Sequence, residues 1–422
     1  MSRRAVVGVV CLVASLLSSC ASDGSTTDTT FVGTATAAVE WLPCGDIECG
    51  RIDVPRVGSD LEGETIKVAV YRRVSAKKKA PTLMLLPDRT FGSDARTLVE
   101  DAPLTLGAAV RDYTVMAISP RGSVDSPMML TDVNLMSSLD DVDDVVAAMK
   151  MLKIKKVALV GWGSGATAAT AMVMSDPSKV LAAVVDSPQD PSESMVRQAE
   201  QQLTSMQAAV VTAMRWCASH LSCPTNANVA QALSLFKTNL RLGRLDEGVD
   251  FDTIARAATN AIAQGDPQSL FIAINDASNG DGAKLLAMAG PAPTAESSRA
   301  ACANVSLSAA KRIATIFGDF AAKKNRHFYM GTEAFTYRFC DNLPATQRPI
   351  GEVTPVDDAK DAKVFVTIAR GDPVVPPYTP RTLSKKMGWT YKSVYANRHL
   401  VVGIDQAITA QAMDFLATSL ND

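Results

Sequence analysis

An alternation of short apolar strands and helices that stops and later resumes limits the folds open to this 422-residue chain. Residues 65–74 read as a strand. Thr82–Leu86 and Tyr113–Ser119 follow as short apolar runs, with the Lys77-Lys78-Lys79 run between strands as a solvated turn. Residues 137–151 place Leu139, Val142, Val145, Val146 and Met149 at helical spacing, the pattern of a helix with one buried face. Val157–Val160 then predicts a strand, a glycine turn leads into an Ala/Met-rich helix to about Met174, and Leu181–Val185 predicts the next strand. From Ser192 to about Phe339 the pattern is mainly helical. Alternation returns at Val364–Ile368 and Thr390–Ala396, before a last helix from Asp405 to Leu420. Strands alternating with helices imply a mostly parallel central sheet with helices on both faces. The fold class is therefore α/β, carrying an inserted, mainly helical cap. The divisions are 41–191 for the first part of the core, 192–345 for the cap and 346–422 for the second part of the core. Such an insertion commonly covers the C-terminal edge of a parallel sheet, where ligands bind.

The first forty residues set the compartment. Arg3 and Arg4 precede the apolar run Ala5–Leu17, which has the layout of a signal peptide and is too short for a transmembrane helix. Its end, Leu17-Ser18-Ser19-Cys20, resembles a bacterial lipobox. The resemblance implies removal of residues 1–19, lipidation of Cys20, and attachment to the outer face of the cell membrane without spanning it. Residues 20–40, rich in Thr, Ser and Ala, read as a flexible tether.

Export gives the cysteines a meaning. Cys11 leaves with the signal peptide, Cys20 carries lipid, and Cys44, Cys49, Cys217, Cys223, Cys302 and Cys340 remain. An even set in an exported chain points to disulfides. Pairing of sequence neighbours is plausible, but about fifteen connectivities stay open. The formal net charge of −2 provides no footprint for nucleic acid. His220, His327 and His399 form no metal motif. The acidic run Asp140, Asp141, Asp143, Asp144 lacks the spacing of a calcium loop and suits a helix N-terminus instead. Gly161–Gly165 is not a dinucleotide fingerprint. No cofactor is expected.

Several segments, in order, resemble the secreted tripeptidyl-aminopeptidase-like branch of the α/β-hydrolases. They are Trp41-Leu42-Pro43-Cys44 with Cys49-Gly50 and Val54-Pro55; Ser119-Pro120-Arg121-Gly122-Ser123; Asp186-Ser187-Pro188; Gly371-Asp372-Pro373; and His399 before the last helix. The resemblance spans about residues 40–418. It implies that Asp372 and His399 are the acid and base of a catalytic triad. Arg121 reads as a brace between loops rather than a phosphate ligand, since the segment around it lacks the P-loop pattern.

The nucleophile is the exception. The family's elbow is Gly-x-Ser-x-Gly between a strand and a helix, and this chain reads Gly161-Trp162-Gly163-Ser164-Gly165. Glycine at 163 has no atom with which to attack. Ser164 is the nearby substitute, but using it shifts the frame and puts Trp162 where a small residue belongs. In the unshifted frame Ser164 follows the nucleophile position and contributes a backbone N–H to the oxyanion hole. The family's glycine-rich oxyanion loop is replaced by Pro87-Asp88-Arg89-Thr90-Phe91-Gly92-Ser93, and an inward Asp88 would oppose a developing negative charge. The expectation is a catalytically inactive homologue that binds a peptide, lipid or envelope component beneath the cap, or acts as an interaction scaffold in the cell envelope. The alternative is an exported peptidase or esterase using Ser164.

Overall fold

The computed structural model describes residues 39–58, 63–220, 223, 229–246, 248–322, 337–346 and 348–420. The signal-peptide and tether expectations up to residue 38, with Cys20, and also His327, lie outside the described residues.

Nine strands form one mixed sheet: β1 (Leu42–Pro43), β2 (Glu48–Pro55), β3 (Thr65–Arg73), β4 (Thr82–Leu86), β5 (Thr114–Ile118), β6 (Val157–Trp162), β7 (Val180–Asp186), β8 (Val364–Ala369) and β9 (Thr390–Val394). Their order is β1-β2-β3-β5-β4-β6-β7-β8-β9. The first three neighbouring pairs are antiparallel and the remaining five parallel. All six side-chain positions of β6 and of β8 are buried, as expected of central strands covered on both faces. The sequence reading missed β2, in which buried Ile52 and Val54 alternate with exposed Arg51 and Asp53. Only two apolar positions carry that alternation, too few to read as a strand.

The helices are α1 (Ala95–Glu100), α2 (Ala102–Thr105), α3 (Ser138–Met151), α4 (Ser164–Ser175), α5 (Met195–Ser219), α6 (Val229–Arg241), α7 (Phe251–Gln264), α8 (Pro267–Ser278), α9 (Ala283–Ala289), α10 (Ala295–Cys302), α11 (Leu307–Ala322), α12 (Tyr378–Met387) and α13 (Gln406–Ser419). Two apolar clusters pack against the sheet. One gathers Leu98, Val99, Ile408 and Leu416, and the other Val145, Met149, Met172 and Leu383. The inserted helices form a cap with a core of its own, built from Val210, Phe236, Ile262, Phe271 and Ile274 among others.

The acidic run on α3 is held by arginines. Ser137 and Asp140 form a capping box at its start. Asp141 pairs with Arg89, Asp143 with Arg348, and Asp144 with Arg121. Arg121 is fully buried. It donates to both Asp144 carboxylate oxygens at 2.9 and 2.7 Å, and to the carbonyls of Pro55 and Arg56 at 2.8 and 2.7 Å. It acts as a brace, using the planar fork that lets arginine satisfy several acceptors at once.

Disulfides join Cys44 to Cys49, Cys217 to Cys223 and Cys302 to Cys340, with Cα separations of 5.9, 5.2 and 5.2 Å. The first closes the turn between β1 and β2. The third ties the end of α10 to the segment around Tyr337–Asn342.

Candidate functional site

Strand register assembles the site. Leu86 lies opposite Gly161, Trp162 opposite Asp186, and Asp186 opposite Thr367. The ends of β4, β6, β7 and β8 therefore reach the same edge, and the loops leaving them converge there.

The turn after β6 keeps a strained elbow. Gly163 has φ 51° and ψ −113°, a backbone conformation that side-chain-bearing residues rarely adopt. A Cβ at Gly165 would come within 2.1 Å of the Leu86 carbonyl oxygen, so β4 and the elbow approach as closely as backbone allows. Trp162 points away from the site, buried, with its indole N–H donated to the Val402 carbonyl at 3.0 Å.

The space beside Gly163 is taken by Asp88. A Cβ at position 163 would lie 2.5 Å from Asp88 Cγ and 2.7 and 2.9 Å from its two carboxylate oxygens. Asp88 Oδ1 accepts the Ser164 backbone N–H at 3.2 Å and the Ser164 hydroxyl at 3.0 Å. Its Oδ2 accepts the Phe91 N–H at 3.0 Å. Ser164 begins α4, where free N–H groups and the helix dipole favour an anion. The Ser164 hydroxyl in turn accepts the Arg89 N–H at 2.9 Å. The sequence marks Asp88 and the Ser164 N–H as belonging near the oxyanion position; that Asp88 points inward comes from the structure. Their union, with the carboxylate on the amide expected to face an oxyanion, is visible only in three dimensions.

His399 faces this carboxylate. Its Nδ1 is 2.8 Å from Asp372 Oδ2, and Asp372 Oδ1 accepts the Val374 and Val375 N–H groups at 2.8 and 2.9 Å. The Nε2 of His399 has no hydrogen-bond partner and lies 3.6 Å from Asp88 Oδ2, an ion-pair distance. Phe91 meets the imidazole edge-on, with ring centroids 5.5 Å apart. All three ionisable residues are buried. Burial alone would lower the His399 pKa, but Asp372 and Asp88 outweigh it and push it up to about 10. Burial would raise Asp88; the imidazolium and the Ser164 and Phe91 amides outweigh that and hold it below the usual carboxylate value. At neutral pH the site is thus an imidazolium between two carboxylates, and an imidazolium cannot take a proton from a nucleophile.

Asp186, at the end of β7, positions the histidine loop. Its Oδ2 accepts the N–H groups of Val401 and Val402 at 2.6 and 2.7 Å. The cap holds the same loop from the other side, where the Ala263 carbonyl accepts the His399 N–H at 2.9 Å.

Above these residues the cap covers a partly open cavity of about 540 Å³, lined by Asp88, Gly163, Ser164 and His399 from the core and by Gln202 and Arg256 from the cap. Sequence reasoning missed Gln202 and Arg256, since nothing in a helical periodicity separates a polar residue facing a cavity from one facing water. Among the described residues no group of His, Cys, Asp and Glu side chains is arranged to hold a metal ion. Among the same residues no helix is long and apolar enough to cross a membrane.

No curated protein matches the chain. Among solved structures it is similar to a proline iminopeptidase from Mycobacterium smegmatis, with 12% identity over 88% of this chain and 99% of that one and a TM-score of 0.44. It is similar to esterase E22 at 13% identity over 88% and 100% of the two chains, with a TM-score of 0.43. An α/β hydrolase from Novosphingobium aromaticivorans shares 13% identity over 89% and 100%, with a TM-score of 0.45. The sequence pattern of the family described as alpha/beta hydrolase fold matches residues 99–402. The chain belongs to the α/β-hydrolase fold family.

Proposed function

We propose that this protein is a non-catalytic member of the family, of the tripeptidyl-aminopeptidase-like kind, anchored through a lipidated Cys20 to the outer face of the cell membrane. It binds a small envelope component or peptide in the cavity under its cap. The observation that carries this reading is the Asp88 carboxylate beside Gly163, on the Ser164 N–H. Serine hydrolases need a hydroxyl, a neutral histidine and unoccupied amides for the oxyanion. Here the hydroxyl is absent from position 163, the histidine is held as a cation, and the amide already serves an anion.

Family membership, with the Asp372–His399 pair, favours a second reading: an exported esterase or peptidase using Ser164. That hydroxyl donates to Asp88 and accepts from the Arg89 amide, so it would have to turn from both partners to reach His399. Incubating the wild type and Ser164→Ala with ester and aminopeptidase substrates and a serine-directed covalent probe separates the two. The binding reading expects no labelling and no turnover in either protein. Turnover by the wild type that Ser164→Ala abolishes would establish the hydrolase.

A further inference from the structure

Arg256 sits on α7, on the face that also carries Thr259 and Asn260 into the cavity. It is only 6% exposed, its Nε has no hydrogen-bond partner, and it forms no ion pair among the described residues. Gln202 on α5 is 4% exposed, lines the same cavity, and forms no hydrogen bond among the described residues. A guanidinium is always charged and offers five donors in a planar fork. The Arg256 Nε is a buried donor without an acceptor, an arrangement that costs free energy and that an acceptor from a ligand would relieve. Arg121 shows how this chain otherwise treats a buried arginine, with a bidentate carboxylate and backbone carbonyls.

The cavity is otherwise suited to an apolar body. Met195, Pro291, Pro293, Ala301 and Val375 line it. Among the described charged residues lining it, Asp88 and His399 face each other at the floor and Arg89 is paired with Asp141. Arg256 lies in the roof, without an ion pair among the described residues.

We infer that the unpaired Arg256, with Gln202 beside the same cavity, is the recognition site for the carboxylate of a small amphipathic monoanion whose apolar part fills the space under the cap. The inference rests on the cavity being a ligand site and adds the ligand's chemical class. The carboxylate takes the bidentate position on the guanidinium that Asp144 takes on Arg121, and the Gln202 amide donates to it. A neutral amide of the same shape can accept a hydrogen bond from Arg256 but leaves its charge unbalanced, and a cationic ligand would be repelled by it.

Decanoate, decanamide and decylamine, titrated calorimetrically into the purified protein, test this. Decanoate is expected to bind more tightly than decanamide by about 10-fold or more, the scale of a charge-assisted hydrogen bond, and decylamine more weakly still. Arg256→Met is expected to abolish the preference for decanoate over decanamide. Arg256→Lys, which keeps the charge without the fork, is expected to fall between. Thermal unfolding checks that each variant is folded. Should Arg256→Met not fold, the wild-type preference and the Arg256→Lys loss decide. Failure of decanoate to bind, equal affinity for acid and amide, or an acid preference that survives in Arg256→Met would overturn the assignment. Ester turnover is measured on the same samples: turnover lost in Ser164→Ala overturns the non-catalytic reading, whereas loss of acid preference without turnover overturns only the role of Arg256.

Discussion

Asp88 and Gly163 occupy one place between them: a Cβ on Gly163 would come within 2.5 Å of the Asp88 carboxyl carbon. The missing side chain of one and the inward side chain of the other are a single structural fact. Gly163→Ser therefore meets two obstacles, the carboxylate and a φ of 51°. The single variant is expected to lose roughly 1–3 kcal/mol of stability, the scale of backbone strain and overpacking, and to remain unlabelled by a serine-directed probe. Gly163→Ser with Asp88→Gly frees both the space and the Ser164 amide. Denaturant unfolding and probe labelling should show partial recovery of stability and covalent labelling of the new serine. A Gly163→Ser protein as stable as wild type would contradict the steric argument.

The charge cluster predicts a pH window. The folded His399 binds its proton more tightly than the unfolded chain, with a pKa of about 10 against 6.5. Its stabilisation is fully present below 6.5 and is lost as pH rises through 10. Asp88 is shifted the other way, so its contribution is present above 3.8 and is lost as pH falls through its lower folded value. Unfolding free energy should fall with alkalinity over that upper range, and Asp88→Asn should move the fall to lower pH. NMR titration of the His399 ring checks both. A ring that titrates near its ordinary value in the wild type would refute the ion-pair account.

Asp186 offers a test of positioning. Asp186→Ala leaves the Val401 and Val402 amides without their acceptor, at a cost of about 1–3 kcal/mol per unsatisfied group. Asp186→Asn keeps an oxygen for both amides and is expected to cost less. Because the histidine loop is what loosens, the alanine variant should also shift the His399 titration, which a loss of stability elsewhere would not do.

The three disulfides differ in the length of chain they close. Cys302 and Cys340 are 38 residues apart and Cys44 and Cys49 only 5. The chain-entropy relation gives roughly 4 kcal/mol for the long loop and roughly 2 for the short one. Paired alanine replacements followed by denaturant unfolding should preserve that order.

Much of the core was legible because its signals are local. Thr82–Leu86 is β4 as read, and the helical periodicity of 137–151 is α3. Asp372 and His399, 27 positions apart in sequence, are hydrogen-bonded to each other. The glycine spacing at 161–165 announced a tight turn. In each case a few neighbouring residues carry the reason: apolar period, a cap, or a position where a side chain has no room.

The sequence alone thus determined the strand–helix grammar, the cap insertion and the absence of a hydroxyl at position 163. It could not set the charge state of His399, because Asp88 and Asp372 lie 311 and 27 positions from it and act through space. It marked Arg121 as a brace but could not name its partners, nor mark Arg256, a second buried arginine, as different. One finds Asp144 and three carbonyls within hydrogen-bonding distance; the other finds a cavity. Electrostatic energy depends on distance and on the water excluded between groups, and both are fixed only when the sheet edge and the cap close over the same space.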